Sequence, residues 1–176
     1  MDGDGDTDLA VGANGLNGLY KNDGAGQYSK VEAGAFDDQA VNTVSLVSFD
    51  ADGDGDLDLA ESNTGATNAI YINNGAGLFT RLAGGDFGNA GATHILVVLD
   101  ANGDGTNDLA KPRALYLNDG HGSFTLAPAG DYSVDLWSYT YAILAFDADG
   151  DGDTDLAVGN AGPQVDPCHW LSLIHI

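Results

Sequence analysis

Residues 43–80 read TVSLVSFDADGDGDLDLAESNTGATNAIYINNGAGLFT and hold nearly one full structural period of the chain. The stretch opens with an almost continuous apolar run, Thr43 to Phe49. A short apolar run bounded by turn residues reads as a strand buried on both faces. Five aspartates on alternate positions follow, from Asp50 to Asp58, with Gly53 and Gly55 among them. DLAES from Asp58 reads as a second strand, the segment around Tyr71 as a third, and the segment from Phe79 as a fourth. NNGAG joins the last two, and Asn-Asn-Gly supplies the positive φ values of a tight hairpin turn.

The same order recurs along the chain. Aligned on one loop position, Asp2, Asp52, Asn102 and Asp149 are spaced by 50, 50 and 47 residues. NGLYKNDGAGQYS from Asn17, NAIYINNGAGLFT from Asn68 and RALYLNDGHGSFT from Arg113 give a second marker. The aromatics Phe36, Phe87 and Tyr132 give a third. THILVVL and YTYAILAF stand before the later loops as TVSLVSF stands before the second. No segment keeps a helical period, so the fold class is all-β. Four-stranded antiparallel units at this period are the mark of β-propeller blades. The expected organisation is a partial blade over 1–37, whole blades over 41–88 and 92–132, and a partial blade over 138–162. A closed propeller has four to eight blades. This chain is therefore expected to be an incomplete arc of a larger ring, whose remaining blades are its first partner.

The alternating aspartates carry the chemistry. Numbered from Asp50, side-chain oxygens come from positions 1, 3, 5 and 9 (Asp50, Asp52, Asp54 and Asp58), and position 7, Asp56, offers its carbonyl. Calcium takes six to eight hard oxygen ligands with tolerant geometry, whereas magnesium keeps more of its water. Zinc wants His or Cys, which these loops lack. Without a cation, four converging carboxylates repel one another. The fourth loop repeats the set with Asp147, Asp149, Asp151 and Asp155, and Asp153 as carbonyl donor. The third has Asp100, Asn102, Asp104 and Asp108 with Thr106 as carbonyl donor, and weaker binding is expected because Asn102 is neutral. The first keeps Asp2, Asp4, Asp8 and the Asp6 carbonyl but lacks position 1, and is expected to bind poorly. An EF-hand starts similarly, yet it needs a bidentate acid at position 12 and flanking helices. That position is Glu61 here but Val11, Lys111 and Val158 in the other loops.

DADGDGDLDLA followed by NAIYINNGAGLFT resembles the FG-GAP-type, or VCBS, repeat of integrin α-subunit propellers and many bacterial secreted proteins. The resemblance covers nearly the whole chain up to about Gly162. It implies a bladed β-propeller with calcium, Ca2+, in the loop between the first two strands of each blade, in a secreted or cell-surface protein. Extracellular calcium modules bind at roughly 10⁻⁴–10⁻³ M. The function it implies is a non-catalytic extracellular module for cell adhesion or ligand binding, with an extracellular protein or carbohydrate as partner. The alternative is a lectin-like or accessory propeller of a secreted polysaccharide-active enzyme. Family membership fixes no single activity.

Composition narrows the choice. The chain has 27 acidic and 5 basic residues, a formal charge of −22. Nucleic acid and anionic membranes need clustered Lys and Arg, so neither is an expected partner. Hydrophobic residues make up 43%, which argues against disorder. No apolar run reaches the 18 or so residues of a membrane helix. The single Cys168 allows no disulfide framework. No GxSxG, HExxH or phosphate loop is present, and no catalytic residue is assigned. His94 reads as a packed or channel-facing residue and His121 as a solvent-facing turn residue. Tyr20, Tyr71 and Tyr116 recur in every blade and read as packing residues, although sugars also stack on tyrosine. Trp137 and Tyr139 break the pattern. At the ends, Met1 takes the place of Ala51, as if an internal Met had been read as a start. Residues 163–176 read as a non-native or unstructured tail, with LSLIHI at 171–176 resembling a translated sequencing adapter; the other reading is a natural apolar strand.

Overall fold

The computed structural model describes residues 1–83, 86–89, 95–128, 139–161 and 169–174. Each apolar run, acidic loop and Gly-rich hairpin folds as one antiparallel unit, because the loop and hairpin reverse the chain between short β-prone segments. The first unit contains β1 (Leu9–Val11), β3 (Gly18–Asn22) and β4 (Tyr28–Val31), with β2 (Asn14–Leu16) leaving it for the next sheet. The second contains β5 (Ala40–Phe49), β6 (Asp58–Asn63), β7 (Ala69–Asn73) and β8 (Phe79–Arg81). The third contains β9 (Val97–Leu99), β10 (Asp108–Lys111), β11 (Ala114–Asn118) and β12 (Phe124–Leu126). The fourth contains β13 (Tyr139–Phe146), β14 (Asp155–Ala161) and β15 (His169–Ile174).

Sheet orders are β1-β3-β4, β2-β5-β6-β7-β8, β9-β10-β11-β12 and β13-β14-β15. All these pairs are antiparallel, and the register repeats: Leu9 faces Tyr20, Leu59 faces Tyr71 and Leu109 faces Tyr116. The expected all-β propeller blades are therefore present, incomplete at the first and last sheets. Among the described residues there is no α-helix, only a 3-10 turn at Phe87–Asn89. Residues 169–174 of the anticipated tail run along β14, from Ala161 opposite His169 to Leu156 opposite Ile174. Tyr132, His94, Trp137, Cys168 and His175 lie outside the described residues.

One expectation changes in degree. The inner strand β5 is mostly half-buried, with only Phe49 fully inside. The fully buried strands are the second ones, β6 and β10. Beyond Asn42, which pairs with Asn14, one edge of β5 has no strand beside it among the described residues, whereas β6 and β10 have neighbours on both edges.

The core lies between blades. Leu19 and Phe36 of the first blade pack with Leu59, Tyr71 and Phe79 of the second, beside Ala10. Phe49 and Ala60 of the second pack with Leu96, Leu109, Tyr116 and Phe124 of the third. Leu99 and Ala110 of the third pack with Leu156 of the fourth. The aromatics that end each repeat stack edge-on against the next blade: Phe36 on Tyr71 at 5.5 Å and Phe87 on Tyr116 at 5.4 Å between ring centroids. Tyr71 and Tyr116 are thus packing residues, as their recurrence implied. One joint also requires a glycine. Gly34 has φ +67° and lies so close to β8 that a Cβ would sit 2.7 Å from the Phe79 carbonyl oxygen.

Candidate metal centre

Three of the acidic loops adopt one internal pattern, and the first, which lacks position 1, keeps only the bonds from Asp4 and Asp6 N–H to Asp2 and Asp4. In the second loop the Asp50 carboxylate accepts from the backbone N–H groups of Gly53 and Gly55, at 2.8 and 3.0 Å. Asp52 accepts from Asp54 N–H at 3.3 Å, and Asp54 from Asp56 N–H at 2.9 Å. Asp147, Asp149 and Asp151 repeat these bonds with Gly150, Gly152, Asp151 and Asp153. Asp100, Asn102 and Asp104 repeat them with Gly103, Gly105, Asp104 and Thr106. Alternate side chains turn inward because glycine at positive φ curls the loop.

Two loops bring three carboxylates together. One oxygen each of Asp50, Asp52 and Asp54 lie within 4.8 Å of one another, and so do those of Asp147, Asp149 and Asp151. All-oxygen sets on an irregular loop suit a hard divalent cation. Burial, then the neighbouring Asp54 charge, pushes the Asp52 carboxyl above the usual range. In the other two loops side-chain donors contact the carboxylates. In the third, the Asn102 amide donates to Asp104 at 2.8 Å, and hydrogen bonds from Thr106 hold the Asp104 carboxyl below the usual range. In the first, the Lys21 ammonium pairs with Asp2 and, at 3.4 Å, with Asp4. That contact lowers the Asp2 carboxyl and raises Lys21.

Position 9 has a second role that its place in the pattern did not reveal. Asp58 is fully buried; its Oδ2 accepts from Ala51 N–H and its Oδ1 from Asn73 N–H, both at 2.7 Å. Asp108 does the same with Ala101 and Asn118, at 2.9 and 2.7 Å. Asp155 accepts from Ala148 at 2.9 Å. Asp8 accepts from Asn22 N–H and, in place of the alanine, from the Met1 amino group at 2.9 Å. This carboxylate closes the loop onto the third strand. Burial pushes Asp58 up to about 6 and also raises Asp108. Position 7 turns its side chain toward its own blade's hairpin: Asp6 lies beside Gly24, Asp56 beside Gly75, and Thr106 bonds the Asn118 carbonyl at 3.1 Å.

Glu61 is not part of the loop. It lies on β6, buried, where Asn17, Asn63 and Tyr71 donate to it at 2.7, 2.9 and 2.8 Å. Strands, not helices, flank the loop, which removes the EF-hand alternative. The asparagines of the hairpins form turns, and they also join blades. Asn73 Nδ2 donates to the Leu57 carbonyl of its own loop and to Met1 of the preceding one, at 3.2 and 2.8 Å. Asn118 Nδ2 donates to Asn107 and to Ala51 in the same way, at 3.1 and 3.0 Å. Their recurrence at 22, 73 and 118 was the available signal.

Residues 1–61 match the family model of the FG-GAP-like repeat. No curated protein sequence matches the chain.

Proposed function

We propose that this chain of FG-GAP-type repeats is a calcium-binding β-propeller module that serves, outside the cell, as a non-catalytic scaffold for adhesion or ligand binding. The observation that carries the reading is the convergence of Asp50, Asp52 and Asp54, and of Asp147, Asp149 and Asp151, on points a single cation can reach. Calcium relieves the repulsion within each cluster and ties the inner strand of a blade to the second. Ligand sets of this openness bind at roughly 10⁻⁴–10⁻³ M, a range filled by calcium outside cells. No helix among the described residues is long and apolar enough to cross a membrane.

Titration calorimetry at millimolar calcium tests this directly. Two binding events are expected, with a rise in melting temperature that EDTA reverses. Asp54→Ala removes one event and leaves the other. A folded chain that takes up no calcium refutes the reading.

A second reading has its own observation. A groove of about 630 Å³ lies between the second and third blades; Arg81, His121 and Ser123 line it with accessible polar groups, over the buried Phe87 and Phe124. Hydrogen-bonding side chains gathered along a groove suit a sugar's hydroxyl groups. Binding on a glycan array that is lost in Arg81→Ala supports a lectin-like role, and a blank array removes it.

A further inference from the structure

The third acidic loop differs from the second and fourth at one side-chain ligand position, where Asn102 stands in place of Asp52 and Asp149. Its hydrogen bonds do not differ. Asn102 accepts from Asp104 N–H at 3.1 Å, as Asp52 accepts from Asp54 at 3.3 Å and Asp149 from Asp151 at 3.2 Å. Asp100 accepts from Gly103 and Gly105 N–H at 2.8 and 2.9 Å, as Asp50 does from Gly53 and Gly55. Only the amide of Asn102 separates this loop from the three-carboxylate set, and the next residue is Gly103.

An asparagine followed by glycine can lose its amide nitrogen without an enzyme. The glycine nitrogen attacks the side-chain carbonyl carbon to close a five-membered ring, and no Cβ stands in the way. Asn14, Asn17, Asn74 and Asn102 all precede a glycine, and the structure separates them. Asn17 is buried, with its amide held by Ala13 N–H and Glu61. Asn14 lies in β2, opposite Asn42. Asn74 is exposed, but a Cβ on Gly75 would sit 2.5 Å from Asp56 Oδ2, so the space beside that glycine is filled. At the third loop Asn102 and Gly103 are both exposed, and a Cβ on Gly103 would meet nothing within 4 Å among the described residues. The Gly103 N–H faces a carboxylate, Asp100, that can take its proton. Asp104 N–H points at Asn102 Oδ1, where negative charge gathers when the carbon is attacked. Asp104 Oδ2 accepts from Asn102 Nδ2 at 2.8 Å, which orients the nitrogen that leaves.

We propose that Asn102 deamidates spontaneously in the folded chain, and that its conversion to aspartate completes a third cation-binding loop. The Gly103 nitrogen bonds to Asn102 Cγ while its proton passes to Asp100. The Cγ–Nδ2 bond then breaks, and the nitrogen takes up that proton by way of water and leaves as ammonia. A second water adds to Cγ of the cyclic imide, the bond from Cγ to the Gly103 nitrogen breaks, and that nitrogen regains a hydrogen. The product is aspartate on an unchanged backbone. Opening at the other carbonyl would give isoaspartate, but Asp104 N–H polarises the side-chain carbonyl and directs water there. The new carboxylate cannot donate to Asp104 as the amide did, and it joins Asp100 and Asp104 as Asp52 joins Asp50 and Asp54. The aged loop therefore gathers three carboxylates where the fresh loop has an internal hydrogen bond. The gain of a cation rests on the calcium reading above, whereas the deamidation does not.

The test is mass spectrometry with peptide mapping on the folded chain, aged in warm neutral buffer with EDTA. The expected result is the mass gain of an amide-to-acid change at Asn102, ahead of Asn74, with aspartate as the main product. In the urea-unfolded chain the two positions should convert at similar rates, because only the fold separates them. Calorimetry of the aged chain should show a third calcium event beside the two of the fresh chain. Asn102→Asp should show it at once, and Asn102→Gln should age without it. No mass gain at Asn102, or the same ratio of rates folded and unfolded, overturns the proposal. So does isoaspartate as the main product, or an Asn102→Asp chain that stays at two events. If no loop of any variant takes up calcium, the calcium reading fails and the third site with it, while the conversion of Asn102 is still decided by mass.

Discussion

Asp58 shows how one residue can be legible in kind and hidden in role. Its place in the alternating series marks it as a loop carboxylate, but its two backbone donors come from Ala51 and from Asn73, on a strand fifteen residues on. Its raised carboxyl, about 6 against an ordinary value near 3.8, fixes the sign of a pH effect. The folded chain holds this proton more tightly than the unfolded chain. The stabilising contribution is complete below the unfolded value and lost as pH rises through about 6. Asp52 and Asp108 shift the same way. Asp8 and Asp104 shift downward and lose their contribution only as pH falls below the ordinary carboxyl range. In EDTA the unfolding free energy from urea titration should therefore fall between pH 4.5 and 7, by on the order of 2 kcal/mol for Asp58. Asp58→Asn should flatten that slope. Glu61 was less legible, because it occurs in one repeat of four and its donors Asn17 and Tyr71 are distant in sequence. Glu61→Ala leaves buried amide and hydroxyl donors without their acceptor. A loss of about 3 kcal/mol in chemical denaturation is expected, and a loss under 1 would show that water replaces the carboxylate.

Strands and hairpins were legible wherever the repeat reports them several times. β6, β7 and β8 and their counterparts fall where DLA, the tyrosine and the final aromatic place them. β2 leaves no mark in the repeat pattern: Asn14–Leu16 belongs to a segment with no counterpart in the third repeat, and its partner at residues 40–42 lies beyond a hairpin. Nor does the glycine pattern tell which glycine serves the loop and which serves the joint. Gly53 and Gly55 both have positive φ, at +80° and +93°. A Cβ on Gly55 meets nothing, whereas one on Gly53 would lie 2.9 Å from the Gly120 carbonyl oxygen of the next blade. Gly55→Ala should then cost about 1 kcal/mol, the price of a left-handed alanine. Gly53→Ala should cost at least about 1 kcal/mol more, because it also forces two blades apart. Equal losses in paired denaturation curves would place the strain in the loop alone.

At the scale of the molecule the governing quantity is charge. With −22 formal charges, the apo chain repels itself at two ranges, within each acidic loop and between loops. Salt separates them. The Debye length falls from about 30 Å at 0.01 M to about 8 Å at 0.15 M. Added sodium chloride therefore screens one loop from another but acts little on carboxylate oxygens that lie within 4.8 Å of each other. The sequence made the charge and its clustering plain. It could not show that Lys21 already neutralises part of the first loop while the second and fourth each gather three carboxylates, because that depends on which side chains meet across a hairpin. Two increments in melting temperature follow. Raising sodium chloride over that range in EDTA should stabilise the chain by several degrees and then level off. Millimolar calcium should add a further rise at high salt, as expected for an ion bound to the folded state alone. Asp50→Ala combined with Asp147→Ala should abolish the second increment and keep the first. If sodium chloride alone reproduces the whole effect, or the double variant keeps the calcium response, the divalent ion acts on this chain as general screening and the clustered aspartates do not ligate it.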